Sequence, residues 1–262
     1  MEITFLQLVL GLILMIVPCY IMYKFNIKLL NKTVKAWGKM LVYLLVLGIC
    51  LYYVILWNKP VFTLLFGLLM IVAGTVLTTS RAKLKFRQMF IPVLTGSLVG
   101  VLVVGFYFLF LVMGLKNPLE ARFFVPVIGL LIGHLVMVNS QALHIYYIGL
   151  CHHGQLYHYL LSNGASQHTA MNYLTRRAIE RSAMPSISNM GWIVVGLSPV
   201  ILWGMMLGGV SALTAVAYQA LLLIAMLCAS LVSIVVTLTV SRKYLLDDYS
   251  QLKRIKEHEE TE

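Results

Sequence analysis

Acidic residues are scarce in this chain: nine Asp and Glu stand against twenty Lys and Arg in 262 residues, a formal net charge of +11. Charge of either sign is absent from seven apolar runs, roughly 3–23, 40–57, 60–79, 89–114, 123–149, 190–210 and 213–240. Only 11% of residues are charged, against about 25% in an ordinary soluble domain. That shortage, with 60% hydrophobic residues and a mean hydropathy of +0.89, excludes a soluble globular fold. The four cysteines (Cys19, Cys50, Cys151, Cys228) form no CxxC pair, which excludes a disulfide framework and leaves them as small apolar packers or free thiols. There is no GxxxxGK[ST] phosphate loop, so the chain does not hydrolyse ATP by itself in the usual P-loop way. It also lacks an HExxH zinc-protease motif and any Ser/His/Asp pattern. Proton- and ion-driven transporters place ionisable groups near the membrane midplane. With no Asp, Glu, Lys or Arg in the runs, a chain that moves solute against a gradient is expected to draw its energy from a partner.

What is present is an all-α, polytopic membrane protein. A helix needs about 20 apolar residues to cross the hydrocarbon core, and the seven runs predict about seven spans. Met1-Glu2-Ile3 has no basic n-region, so the first run is expected to be a retained helix and not a signal peptide. The positive charges fix orientation. Seventeen of the twenty fall in the first loop, the third loop, the fifth loop and the tail; only Lys59, Lys116 and Arg122 lie in the opposite loops. Positive residues favour the cytoplasm, so the N-terminus is expected outside and the C-terminus, with a tail over 242–262, inside. The basicity is that of a protein meeting anionic lipid headgroups, and nucleic acid is not an expected partner. The link Trp57-Asn58-Lys59-Pro60 is so short that spans 2 and 3 should form a tight helical hairpin.

Small residues four apart let helix backbones approach in lipid. Candidates are Gly96 and Gly100 (followed by Gly105), Gly129 and Gly133, and Gly204 and Gly208. Glycine is also common in membrane helices without such a role, and both readings stand. Pro92, Pro126 and Pro199 should kink or break spans 4, 5 and 6 unless near a helix end. Polar residues inside spans are few. His134 and Gln141, seven apart, share a helix face, with Asn139, Ser140 and His144 nearby; Ser198, Tyr218 and Gln219 belong with them. They either line a path for a polar or cationic solute or each make one interhelical hydrogen bond. The 14 methionines fit core filling better than soft-metal binding. His152, His153 and His158 fit a solvated or interfacial cluster better than a metal site.

Residues 150–189 form the longest polar interval. Asn163-Gly164-Ala165-Ser166 reads as a turn into an N-cap, with Ser166 capping a helix from about Gln167 to Ser182. Pro185 should stop or redirect it. Ala170, Met171, Leu174 and Ala178 give an apolar stripe, and Arg176, Arg177 and Arg181 suit the helix C-terminus. Such a helix, lying across the membrane face, either docks a cytoplasmic partner or touches only headgroups.

From Val125 to about Tyr244 the sequence resembles the FetB-type ABC permease family of bacterial iron exporters and plant proteins linked to aluminium tolerance. Val125-Pro126-Val127-Ile128-Gly129 with Gly133 is similar to its IPxxGMxxGN run. Leu161-Ser162-Asn163-Gly164-Ala165 resembles its LSLGA turn. Arg176 with Pro185 matches an R…P spacing, and Pro199, Gly204 and Gly209 fit its PGMMxGxxxxG segment. Tyr218-Gln219 and Arg242-Lys243-Tyr244 fit the opening and the basic exit of its last span. The chain departs from the pattern at His134 (Asn in the family), Ser188 (Asp), Trp192 (Thr), Tyr159 (acidic) and Val200-Ile201-Leu202 (GMM). The resemblance implies one permease domain over 1–262 in a bacterial plasma membrane, exporting a metal ion or other small solute. It implies a homodimer working with two cytoplasmic ABC ATPase subunits, which bind the ATP and Mg²⁺; this chain is expected to bind no cofactor and to be no enzyme itself. Leu161, Ser162, Gly164, Ala165, Ser166 and Arg176 then become the ATPase-coupling contact. The competing classes are a membrane sensor or regulatory or immunity protein without transport, and an intramembrane enzyme or flippase.

Overall fold

The computed structural model describes residues 13, 15–25, 27, 29–84, 86–152, 162–164, 167–191 and 200–245. Among these the chain is helical throughout, without a strand. In order come α1 (Ile16–Lys24), α2 (Leu30–Trp57), α3 (Pro60–Ala82), α4 (Phe86–Tyr107) running into a π-helical turn (Phe108–Val112), α5 (Ala121–His152), α6 (Gln167–Gly191), α7 (Val200–Leu207) and α8 (Ala212–Leu245). Among the described residues five stretches are long and apolar enough to cross a membrane: Leu30–Trp57, Pro60–Ala82, Gln88–Val112, Ala121–Leu150 and Ala212–Tyr244. They coincide with five of the seven expected runs. The other two runs, 3–23 and 190–210, fall partly on residues outside those described, and what is described of them is α1 and α7 with short flanking pieces.

Two units divide the chain, residues 1–57 and 58–262. In the first, no described residue of α1 or α2 is buried. Thr33 on α2 donates to the Met22 sulfur on α1 at 3.4 Å. Lys32, Lys35 and Lys39 lie toward the start of α2, and Tyr53 and Trp57 pack at its end with ring centroids 6.1 Å apart. Lysines at one end and an aromatic belt at the other suit a helix anchored at two interfaces.

In the second unit, α5 is the central helix. α3 lies parallel to it: a Cβ on Gly67 would meet the Phe124 ring, and one on Gly74 would meet Ile132. On this same face Thr75 and Thr78 donate to their own helix, to Ile71 O at 2.9 Å and Gly74 O at 2.8 Å. Hydroxyls are thereby satisfied without water, as the bilayer demands. α4 and α8 run antiparallel and closer still. A Cβ on Gly96 would collide with Thr237 Oγ1 and lie 2.7 Å from the Ser233 carbonyl oxygen, and one on Gly100 would lie 2.7 Å from the Ala229 carbonyl oxygen. The Cα–H bonds of both glycines therefore point at α8 oxygens, the weak contact that accompanies close helix pairs. Ala229, Ser233 and Thr237, spaced four apart, form the opposing stripe and are essentially inaccessible. Pro92 and Pro126 sit inside α4 and α5 and break neither; Pro199 is outside the described residues.

The ends of these helices gather at two poles. At one, Ala82, Leu84, Met89, Tyr146, Leu150, Leu174 and Leu238 share a single core cluster, with Arg81, Lys83, Arg176, Arg242 and Lys243 near it in sequence. Lys83 takes a left-handed conformation (φ 55°) to close α3. At the other pole Asn58, also left-handed at φ 38°, accepts the Ala121 N–H at 3.3 Å and so caps α5.

The expected short helix that stops at Pro185 is corrected: α6 continues to Gly191 with Pro185 inside it. Nor does it simply lie across the membrane face. A Cβ on Gly149 would meet Leu174 at 3.1 Å, and His134 meets Ser186 at 3.1 Å, so α6 runs antiparallel along α5 toward its middle. An interior proline costs about 3 kcal/mol through one lost backbone bond and a clash with the preceding turn. Pro185 is exposed, while Met171, Leu174, Ala178, Ser182 and Ala183 are buried. That burial along a neighbouring helix offsets the local cost.

The two kinds of glycine give a clear test. Gly100→Ala places a methyl against α8 backbone, which no rotamer relieves, and should destabilise the protein by about 1–3 kcal/mol. Gly133→Ala, whose Cβ meets nothing within 4 Å, should leave stability nearly unchanged. Thermal unfolding of both variants in nanodiscs measures the difference; equal stability would contradict the close α4–α8 contact.

Candidate functional site

The polar features collect in two places, the basic pole and the middle of α5. At the basic pole the turn before α6 is exposed at Ser162, Asn163 and Gly164. Gly164 has φ +81° and open space around its Cα, so glycine is required there by backbone conformation and not by crowding. Leu161, Ala165 and Ser166 lie outside the described residues. The exposed face of α6 forms an open groove of about 720 Å³ lined by Asn172, Tyr173, Thr175, Arg176, Ile179 and Glu180. Of these only Arg176 belonged to the expected coupling residues. Asn172, Tyr173, Ile179 and Glu180 stand at i−4, i−3, i+3 and i+4 from it, the spacings of one helix face, and Thr175 is its chain neighbour; the signal is present in the sequence but overshadowed by the apolar stripe opposite.

This face is tied to the bundle. Arg242, near the end of α8, donates from Nη2 to Thr175 Oγ1 at 3.0 Å. Thr175 in turn donates to Met171 O at 3.0 Å. Lys243, next in the chain, is exposed.

In the middle of α5 the structure separates residues that share a sequence neighbourhood. Asn139 is fully buried and donates to Ser233 Oγ of α8 at 2.7 Å; it makes an interhelical bond and faces protein. His134 is half-buried and meets Ser186 of α6. Gln141 and His144 are exposed. Toward the start of α8, Gln219 is buried and Tyr218 half-buried, while Ser198 is outside the described residues. Ser186 and Ser233, the partners of His134 and Asn139, escaped sequence reasoning because a lone serine in an apolar helix has no pattern. Beyond Ser186, which meets the middle of α5, Ser188 and Asn189 are exposed, and lipid tails against them would leave them unsatisfied. Such a surface needs protein or water against it.

Of the packing glycines, Gly129 would meet only the flexible end of Met70, at 3.1 Å, and Gly133 and Gly204 meet nothing within 4 Å; Gly208 meets only atoms of α7. The tight positions Gly67 and Gly74 were missed because they are seven apart and not four. A Ser–His pair such as Ser186–His134 is half of a nucleophile–base arrangement, but the spans hold no carboxylate to orient the imidazole. Among the described residues no three His, Cys, Asp or Glu stand together as metal ligands; His153 and His158 are not among them.

Comparison with known proteins agrees with this architecture. The model of the family described as "Uncharacterised protein family (UPF0014)" matches residues 5–246. The chain is similar to the "UPF0014 membrane protein YjkA" of Bacillus subtilis (strain 168), with 21% identity over 250 residues, 95% of this chain and 98% of the relative. No solved structure matches. With several helices of membrane-spanning length, a family model that covers nearly all of it and a membrane relative of the same extent, the chain is a multi-pass membrane protein of the UPF0014 family.

Proposed function

We propose that this chain is the transmembrane permease subunit of an ABC transporter. Two copies work with two cytoplasmic ATPase subunits that hold the ATP and Mg²⁺, and a small solute, a metal ion among the candidates, is exported across a bacterial plasma membrane. The observation that carries the reading is α6. It is one continuous helix whose first half presents a polar groove at the basic pole and whose second half lies along the middle of α5, at His134. A subunit seated on the first half would move groups inside the membrane with the second half. The ordered motifs shared with the FetB-type permeases support the same role, with Ser162, Gly164 and Arg176 at the contact.

Topology follows from charge: with 17 of 20 cations on one side, the basic pole is cytoplasmic. The runs 3–23 and 190–210 complete seven spans, the odd number this orientation requires. No Asp, Glu, Lys or Arg lies in the seven apolar runs, the groups that proton- and ion-driven transporters usually place near the midplane, so in this reading the energy enters through the groove. His134, Ser186, Ser188 and Asn189 are the neutral polar groups nearest a path for the solute.

Coexpressed with a soluble phosphate-loop ATPase encoded beside its gene, the chain should copurify with it and be required for its ATP hydrolysis. An ATPase that neither binds nor depends on the chain would contradict the proposal. Gly164→Val forces a branched residue into the left-handed region, at about 1–2 kcal/mol, at the contact itself. The variant should insert normally and hydrolyse ATP without driving transport; normal transport would count against the contact. For the metal, iron(II) and manganese(II) are tested in inverted vesicles. ATP-dependent accumulation of either supports it, and no accumulation with no change in ATPase rate removes metal from the proposal.

A further inference from the structure

We propose that Arg242 is the positioning residue that carries movement of α6 into the membrane bundle, through its hydrogen bond to Thr175. The proposal rests on α6 being the face that an ATPase engages.

Three observations meet at this pair. First, Thr175 is part of the groove wall, so whatever seats there presses on the residue that holds Arg242. Its hydroxyl proton is committed to Met171 O, which leaves the oxygen lone pairs oriented to accept from Arg242. A side chain bonded on both sides transmits displacement better than one free to rotate. Second, Arg242 is enclosed and not merely solvated: its Nε is buried without a hydrogen-bond partner while its Nη2 donates to Thr175, whereas the adjacent Lys243 is exposed. The guanidinium is planar and rigid and cannot lose its charge, which suits a strut more than a contact made for solubility. Third, α8 is the helix with most to move. Some nine residues before Arg242, about 13 Å along the axis, Ser233 accepts from Asn139 of α5. The same Ser233 and Thr237 lie against Gly96 of α4 without room for a methyl group. Backbones this close cannot slide independently, so a shift of α8 carries α4 and α5 with it.

The polar path from groove to α8 runs through this side-chain bond, Thr175 to Arg242, then along α8 to Ser233 and Gly96, beside the apolar packing of Met171, Leu174 and Ala178 against Ile234 and Leu238. Arg242 itself neither lines the groove nor touches the polar groups at His134. Its loss should leave partner binding in place and remove the response inside the membrane.

The experiment reads the far end of α8. Spin labels are placed at Ser211→Cys, just before α8, and at Lys116→Cys, in the loop before α5, in a chain whose four native cysteines are replaced. The distance between them is measured by double electron–electron resonance in nanodiscs with the ATPase subunit bound, without nucleotide and with ATP plus vanadate. With Arg242 present the distance distribution should shift on trapping. Arg242→Leu should bind the ATPase in the same amount and lose the shift, and Arg242→Lys, which keeps a charged donor, should recover most of it. Thr175→Ala should lose the shift and Thr175→Ser keep it, a second route to the same answer if Arg242→Leu does not assemble. A full shift in Arg242→Leu or Thr175→Ala would overturn this proposal alone. No shift with Arg242 intact would overturn it together with the permease reading on which it rests.

Discussion

At Gly96 and Gly100 the backbone of α4 lies against the backbone of α8, and Ser233 and Thr237 fill the space where side chains would be. Lipid tails are as apolar as leucine, so burying apolar surface gains little between helices in a membrane. What remains is dispersion between surfaces that fit closely, together with hydrogen bonds that have no water to compete with them. The α4–α8 contact uses both. Small residues on two facing stripes bring the backbones together, and Ser233 on the same stripe receives Asn139 from α5 at 2.7 Å. Three helices are thereby fixed at one level of the bundle by a handful of small side chains. The looser contacts, such as the methionine end over Gly129, depend on the frame that this one sets.

α6 is fitted to that frame in a way that explains its odd composition. Its first turns are polar and its buried face is small: Ala178, Ser182 and Ala183 beside the larger Met171 and Leu174. A helix with so modest an apolar stripe would not be stable alone in water. Packed along α5 it is, and the same packing carries it through Pro185. The result joins an exposed polar face at the basic pole to the interior of the bundle without an intervening hinge among the described residues. The proposed permease role, in which mechanical work comes from a soluble partner, requires such an element.

Much of this was legible in the sequence because hydrophobic length is a strong signal in a membrane protein. Among the described residues five of the expected runs are helices of spanning length, and Gly96 and Gly100 lie against α8. The other glycine pairs with the same spacing meet no neighbouring backbone: Gly133 and Gly204 face open space and Gly129 only a methionine end, because spacing records what a helix can do and not which neighbour it has. Gly67 and Gly74 escaped notice for the converse reason: their fit depends on where Phe124 and Ile132 fall across a contact that no local pattern encodes. Pro185 misled because a local rule about helix termination is weaker than burial along a neighbour. Asn139 and Gln141, two residues apart, looked alike in sequence, yet one is bonded inside the bundle and the other is exposed. Helix rotation, set by packing, separates them.

The most direct measurement of the central claim is the sidedness of α6. In a chain with its native cysteines replaced, Tyr173→Cys, at an exposed position in the groove, is exposed to a membrane-impermeant maleimide in sealed vesicles of both orientations. Labelling is expected in inside-out vesicles and not in right-side-out ones. Labelling from the outer face would place the groove beyond the reach of any cytoplasmic ATPase and contradict the role assigned to α6.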